Sequence, residues 1–322
     1  MPLRRTASAG ALLVLAAALA VGASAKEAGP QATTLLQGGF VLGGIRVFPA
    51  RLHSGGMGSV SRQHAALDLR TNVTKSGRLG LAPAAADMRT AVAPAGMLDL
   101  VVDQEFSQYD FVGSQLPDEL QGAHDTVSTL AGLSVRTPLP RDWFGIGLAY
   151  GKLSAETDAA WGRAAVYGGE LGAGRQVSPE LTVSLVVSAQ SYLEKRDWLV
   201  YPLPRVDWRI TDRLSLHSSR GFLLTYAPDA RRRWELGLSA LYESRQYRLK
   251  GSRGGSGGAL EDDAIPVQFS ARYAPSRFLL ARFFAGAMAW RYGELRREHG
   301  HQVYGQHADP CAFVGGDAAL HF

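Results

Sequence analysis

The sequence predicts an all-β fold, a transmembrane antiparallel up-and-down β-barrel of about 12 strands, within a range of about 10 to 14. Three observations predict it. Several segments alternate apolar and polar residues with a period of two, tight turns alternate with long loops, and the chain ends in an alternating strand, Phe313 to Phe322, with an aromatic in last place. A strand with one apolar face must bury that face. Here the apolar face is expected to meet hydrocarbon and the polar face an enclosed interior.

The first 25 residues read as targeting. Arg4 and Arg5 precede a charge-free apolar run, and Ala23-Ser24-Ala25 supplies a small-x-small cleavage site before Lys26. The run is too short to span a bilayer as a helix, which needs about 20 residues. The chain thus divides into a signal peptide at 1–25, a poorly patterned segment at 26–58 and a barrel at 59–322. Within the middle segment Gly38-Gly39, Gly43-Gly44 and Gly55-Gly56 break any period, although Phe40 to Phe48 has the length of an extra strand.

Composition narrows the partners. Lys and Arg number 34 against 29 Asp and Glu, and two of the arginines lie in the leader. The near-neutral remainder gives no reason to expect nucleic acid. A single cysteine, Cys311, excludes an internal disulfide. The mean hydropathy of −0.06 is low for a membrane protein, but a barrel strand is apolar only at alternate residues.

The strands follow in order. Val60 to Leu69 leads to an Ala/Pro/Gly-rich connection over Thr71 to Pro94; then Leu98, Leu100 and Val102 oppose Asp99 and Asp103. After a polar loop from Asp110 to Asp125, Val127 to Val135 opposes Ser128 to Arg136, and Phe144, Ile146, Leu148 and Tyr150 oppose small residues at Gly145, Gly147, Ala149 and Gly151. Tyr167 to Ala173 and Leu181 to Ala189 repeat the pattern. Trp234 to Arg245 shows it most cleanly, with Trp234, Leu236, Leu238, Ala240 and Tyr242 on one face. Those eight steps climb roughly 20 Å along the membrane normal, so Trp234, Tyr242 and, on the next strand, Tyr273 are expected as membrane-interface aromatics. Gly251 to Asp263 and Arg291 to Pro310 read as long outer loops. Leu279 to Trp290 is the least regular strand, with Phe284 and Met288 on the inner face.

One segment conflicts with the pattern. As a single strand, Leu214 to Tyr226 would put Arg220 on the lipid face, at about 2–4 kcal/mol at mid-depth. Either Ser218 to Gly221 is a bulge or turn, or an early strand is miscounted.

With Val314, Gly316, Ala318, Leu320 and Phe322 on one face, the last strand resembles the closing strand of the bacterial outer-membrane β-barrel superfamily. That resemblance implies a location in the bacterial outer membrane and a role for Phe322 as the assembly signal read by the barrel-insertion machinery. Tyr201-Pro202, the turn from Trp208 to Leu216 and the run from Phe222 through Tyr242 to Tyr247-Arg248-Leu249 are similar to a domain-of-unknown-function family of such barrels. The likeness covers about the last 130 residues and implies fold and location only.

The interior is expected to be lined by Arg136, Glu170, Asp207, Glu235, Glu243, Arg245, Arg272 and Arg282. A barrel of about 12 strands lies between a packed interior and an open pore. The function this favours is a narrow polar channel, or a structural barrel, with outer-membrane lipids and a small polar solute as partners. Two alternatives come from other classes. Binding through the long surface loops is one. The other is hydrolysis: His217, Ser219 and Gly221 resemble the His-x-Ser-x-Gly segment of outer-membrane phospholipase A, in which an imidazole takes the serine proton. The chain's one asparagine, Asn72, lies in an early loop and offers nothing to orient His217. Lumen-facing His and Ser are ordinary in a polar interior, so no catalytic residues are assigned beyond these candidates. Glu294, Glu298, His299, His301 and His307 share a loop without a fixed ligand geometry, so no metal is assigned, and no cofactor is expected.

Overall fold

The computed structural model describes residues 37–52, 56–73, 79–80, 96–113, 116–118, 120–159, 161–193, 198–250, 258–276, 278–297 and 301–321. Residues 1–25, read from the sequence as a leader, and Phe322 lie outside them. In chain order the strands are β1 (Gln37–Arg51), β2 (Met57–Val73), β3 (Leu79–Gly80), β4 (Gly96–Val112), β5 (Gly122–Pro138), β6 (Trp143–Glu156), β7 (Ala165–Ser178), β8 (Leu181–Ser191) and β9 (Trp198–Arg209). They continue as β10 (Leu214–Ser218), β11 (Gly221–Tyr226), β12 (Trp234–Leu241), β13 (Glu243–Arg248), β14 (Ala259–Tyr273), β15 (Leu279–Arg296), β16 (Gln302–His307) and β17 (Cys311–His321).

All neighbours in the wall are antiparallel, and the sheet closes where β17 pairs with β1, from Gly39 opposite His321 to Val47 opposite Phe313. β12 and β13 share one stave against β14, β16 and β17 share another against β15, and β3 is a stub on β2. The result is a closed 14-stranded barrel, at the upper end of the range expected from the sequence.

Two strands raise the count above 12. The first is β1, within the segment set aside as poorly patterned. Its glycines hid the period because they make room for neighbours: a Cβ at Gly43 would lie 2.5 Å from the His64 ring and 2.7 Å from Asp317. The second comes from Leu214 to Tyr226, which is a hairpin rather than one strand. β10 and β11 pair with each other from Leu214 opposite Tyr226 to Ser218 opposite Phe222, and Ser219-Arg220 is the turn. Arg220 is therefore spared the lipid face, and Thr211-Asp212 falls on the side of the short turns.

The long loops shrink for a related reason. β2, β4 and β5 have 17 residues each and β15 has 18. That is more than an apolar band of about 25 Å requires of a tilted strand. Their outer ends continue as sheet beyond the band, where apolar alternation no longer marks them. Thus β4 and β5 take both ends of the segment from Asp110 to Asp125, and β14 begins at Ala259. β15 and β16 occupy most of Arg291 to Pro310.

At the opposite end the turns are short. In the β11–β12 turn the N–H groups of Arg233 and Trp234 donate to the Asp229 carboxylate, each at 3.1 Å. Those backbone bonds, Arg233 first, hold the carboxyl below its usual range.

Gly221 fixes the β10–β11 hairpin against β12, because a Cβ there would stand 2.0 Å from the Ala240 carbonyl oxygen. Gly221→Ala is expected to cost about 1–3 kcal/mol through overpacking. The check is a lower midpoint for loss of the compact, heat-modifiable form on a gel; an unchanged midpoint would mean the hairpin can shift without cost.

Candidate functional site

The two faces of the wall differ in kind. Leu171, Phe269 and Phe283 are 74%, 70% and 69% exposed, and with Leu100, Leu133, Leu185, Leu236, Val314 and Leu320 they form an apolar outer belt. Facing the interior are charged side chains that reach across it, such as Arg62 of β2 to Asp262 of β14, and Arg245 of β13 to Glu105 of β4. Large apolar groups outside and ion pairs inside are stable only in hydrocarbon. This is a barrel built to span a bilayer.

Its interior is not uniform. In the outer half, inward side chains meet in a dry cluster that includes Val47, Val60, Phe111, Leu249, Leu260, Met288, Leu295 and Phe313, capped by Leu116 and Leu120 from the β4–β5 loop. Tyr109 and Tyr247 join it edge to face, with ring centroids 5.5 Å apart. Beneath their rings lies a buried polar network. Asp262 accepts from Arg62 at 2.7 Å, from Arg291 Nε at 2.8 Å and from the Tyr109 hydroxyl at 3.0 Å. Arg245 donates to Glu105 at 3.0 and 3.2 Å and to Glu243 at 2.6 Å, and the Tyr247 hydroxyl also reaches Glu105. Asp262 is only 2% exposed.

A bulge makes this network possible. Met288 pairs with Pro266 and Trp290 with Ile265, so Ala289 is an extra residue on β15. Up to Met288 the even-numbered side chains of β15 point inward; beyond it the odd ones do, and Arg291 turns toward Asp262. The switch of aromatics to even positions, Trp290 and Tyr292, was its sequence signal. Asp262, Arg291 and Arg62 were missed because the first two fell in presumed loops and the third lay in a strand whose faces were unassigned.

The half nearer the short turns is a polar vestibule. Arg136 lies 3.6 Å over the Phe144 ring, Glu170 pairs with Arg205 and with Arg220 at 3.6 Å, and Asp207 pairs with His217. Glu235 accepts from Arg272 at 2.6 Å and Asp317 from Arg282 at 2.8 Å. Six of the eight residues singled out for the lumen are thus in the vestibule, and the other two, Glu243 and Arg245, belong to the network above it.

Several other site expectations change. Phe144, Ile146, Leu148 and Tyr150 face the interior rather than lipid, because Tyr150 pairs in register with Gly132 and Leu148 with Ser134 on the inner face of β5. Tyr150 donates to Gln190 at 3.2 Å. Trp234 and Tyr273 pack with tilted rings at the rim of the short turns, centroids 4.6 Å apart, whereas Tyr242 sits at the β12–β13 break, its N–H bonded to the Arg220 carbonyl. Ser219 follows the last paired residue of β10, and its N–H bonds to the Gly221 carbonyl within the turn. The two-residue spacing therefore no longer places it on the His217 face, and His217 is held by Asp207 instead. Glu294 pairs with Arg296 and His307 packs on Trp290 and Tyr292. Among the described residues no group of three metal-ligating side chains gathers; Glu298 and His299 lie outside them. Cys311 is buried in the dry cluster.

Comparison with solved structures returns outer-membrane barrels. The translocator domain of the autotransporter NalP from Neisseria meningitidis is 14% identical, covers 98% of both chains and superposes with a TM-score of 0.35. An outer-membrane channel from Pseudomonas putida F1 is 10% identical, covering 92% of this chain and 100% of its own, with a TM-score of 0.41. The outer-membrane channel DcaP of Acinetobacter baumannii is 9% identical over 89% and 96%, with a TM-score of 0.27. Likeness at this level concerns barrel architecture, which the strand pairing establishes independently. No family model matches the sequence, and no curated protein does.

Removing the Asp262 carboxylate would leave Arg62 and Arg291 facing each other without a counter-charge. Breaking such a buried pair costs about 3–5 kcal/mol. Urea unfolding of Asp262→Ala in liposomes should show that loss as a lower midpoint, partly recovered when Arg291→Met is added.

Proposed function

We propose that this chain is a bacterial outer-membrane β-barrel acting as a narrow polar channel that rests closed. The observation that carries the reading is the pairing of a charged periplasmic vestibule with a packed plug in the outer half, joined by the Asp262 and Arg245 network. A purely structural barrel could fill its interior with apolar side chains throughout. A wide pore would have no dry cluster across its path. Arg136, Glu170, Asp207, Glu235, Arg272 and Arg282 would line the way of a small polar solute, and Glu243 and Arg245 would sit at the closure. In this reading outer-membrane lipids surround the belt, and Phe322 is the residue the insertion machinery reads.

Planar-bilayer recording tests the closure. Wild-type protein should conduct only in brief, infrequent events. Arg245→Glu sets a carboxylate against Glu105 and Glu243, like charges repel at close range in low dielectric, and sustained open events should rise at least tenfold. Silence from both proteins, each shown to be folded by heat modifiability, would remove the channel reading and leave a structural barrel.

A further inference from the structure

The wall has a gap. β9 pairs with β10 only from Val206 to Arg209, and β11 pairs with β12 only as far as Gly221 opposite Leu241. Above the turn at Ser219-Arg220, β9 and β13 therefore face each other with no strand between them among the described residues. β13 stays paired with β14 along its length but bends inward, meeting β6 at one bridge, Arg248 opposite Ala155. The Leu193 N–H bonds to the Gln246 side chain at 3.1 Å and spans the top of the gap.

The chemistry of the β9 edge fits a permanent opening. The Arg209 N–H points to the β7–β8 turn, at the Glu180 carbonyl, so by alternation the even-numbered N–H positions of β9 point into the gap. Two of those positions are Pro202 and Pro204, which have no N–H to leave unsatisfied.

Behind the gap lies a cavity of about 370 Å³ that reaches Arg220, Ser244 and Gln246 on its frame. Its walls include Val101, Leu130, Leu148 and Val166, with Lys152 among them and the Tyr150–Gln190 pair at one side. Arg220 is occupied by Glu170, whereas the Lys152 ammonium has the Tyr247 ring 5.9 Å away, with Glu105, itself held by Arg245, and Asp103 among its charged neighbours. Depth also matters. The sill is level with Leu241, seven steps above Trp234, or roughly 18 Å up an apolar band of about 25 Å. Lys152 lies nearer the outer surface than Leu148, so the cavity has its cation toward the outer headgroups, flanked in register by Leu130 and Val166, with Leu148 below.

We propose that this cavity binds a single-chain anionic amphiphile, a long-chain carboxylate, admitted sideways from the outer leaflet through the gap between β9 and β13. The carboxylate would pair with Lys152 while the chain lies against Leu148, Leu130 and Val101. At the small end of the range of about 300–1,000 Å³ for ligand pockets, the volume suits one chain rather than the two of a phospholipid. This site is independent of axial conduction, so a barrel that never conducts could still have it.

Saturation binding of radiolabelled laurate to the full chain in phosphatidylcholine nanodiscs tests the assignment. Uptake should saturate at one site above that of empty discs, weaken at least tenfold in Lys152→Gln, and disappear in Val166→Trp or Leu148→Trp, with heat modifiability reporting that each variant is folded. Uptake no greater than that of empty discs, or full binding in both folded tryptophan variants, would overturn the cavity. Tighter binding of dodecylammonium than of laurate would overturn the anionic head and point to Glu105 and Asp103, the carboxylates near Lys152.

Discussion

Hydrocarbon offers no partner to a backbone N–H or C=O, so a sheet that crosses a bilayer must satisfy every such group from within. Most of this architecture follows from that constraint. It forces β17 onto β1, and it explains why even the glycine-rich segment from Gln37 to Arg51 is recruited as a strand. A sheet left open at that seam would expose two long edges to lipid.

Where the ring is incomplete, the molecule removes the polar groups or moves them. Along β9, prolines at 202 and 204 delete donors on the unpaired side. β13 instead turns inward and finds a partner in β6. Bending β13 inward also brings Tyr247 and Arg245 to the middle of the barrel, where they meet Tyr109 and Glu105. The lateral gap and the axial plug are thus two consequences of one short hairpin, β10–β11.

Charges inside the barrel obey a second constraint, that a buried ion needs a counter-ion and hydrogen bonds. The vestibule satisfies it with pairs such as Glu235 with Arg272 on facing positions of β12 and β14. The plug satisfies it with a shared acceptor: Asp262 takes two guanidinium groups and a phenol from β2, β15 and β4. Such a node ties together strands far apart in the sequence, so its integrity depends on the closed ring rather than on any hairpin.

Local chemistry made much of this legible. Period-two alternation is a property of neighbouring residues, so Trp234 to Tyr242, Val127 to Val135 and Val314 to Leu320 could be read directly, as could the inner placement of Phe284 and Met288. The face of β6 could not. Phe144 to Tyr150 is apolar against glycine and alanine, and only its register with β5 turns the larger side chains inward. The bulge at Ala289 and the turn at Ser219-Arg220 each change the side on which later residues fall, and a pattern of alternating residues carries no mark of which neighbour it will meet. The sequence by itself determined a β-barrel with an apolar belt and a charged interior. Tertiary structure decided the stave count, the Asp262 node and the opening between β9 and β13, because pairing between distant strands sets all three.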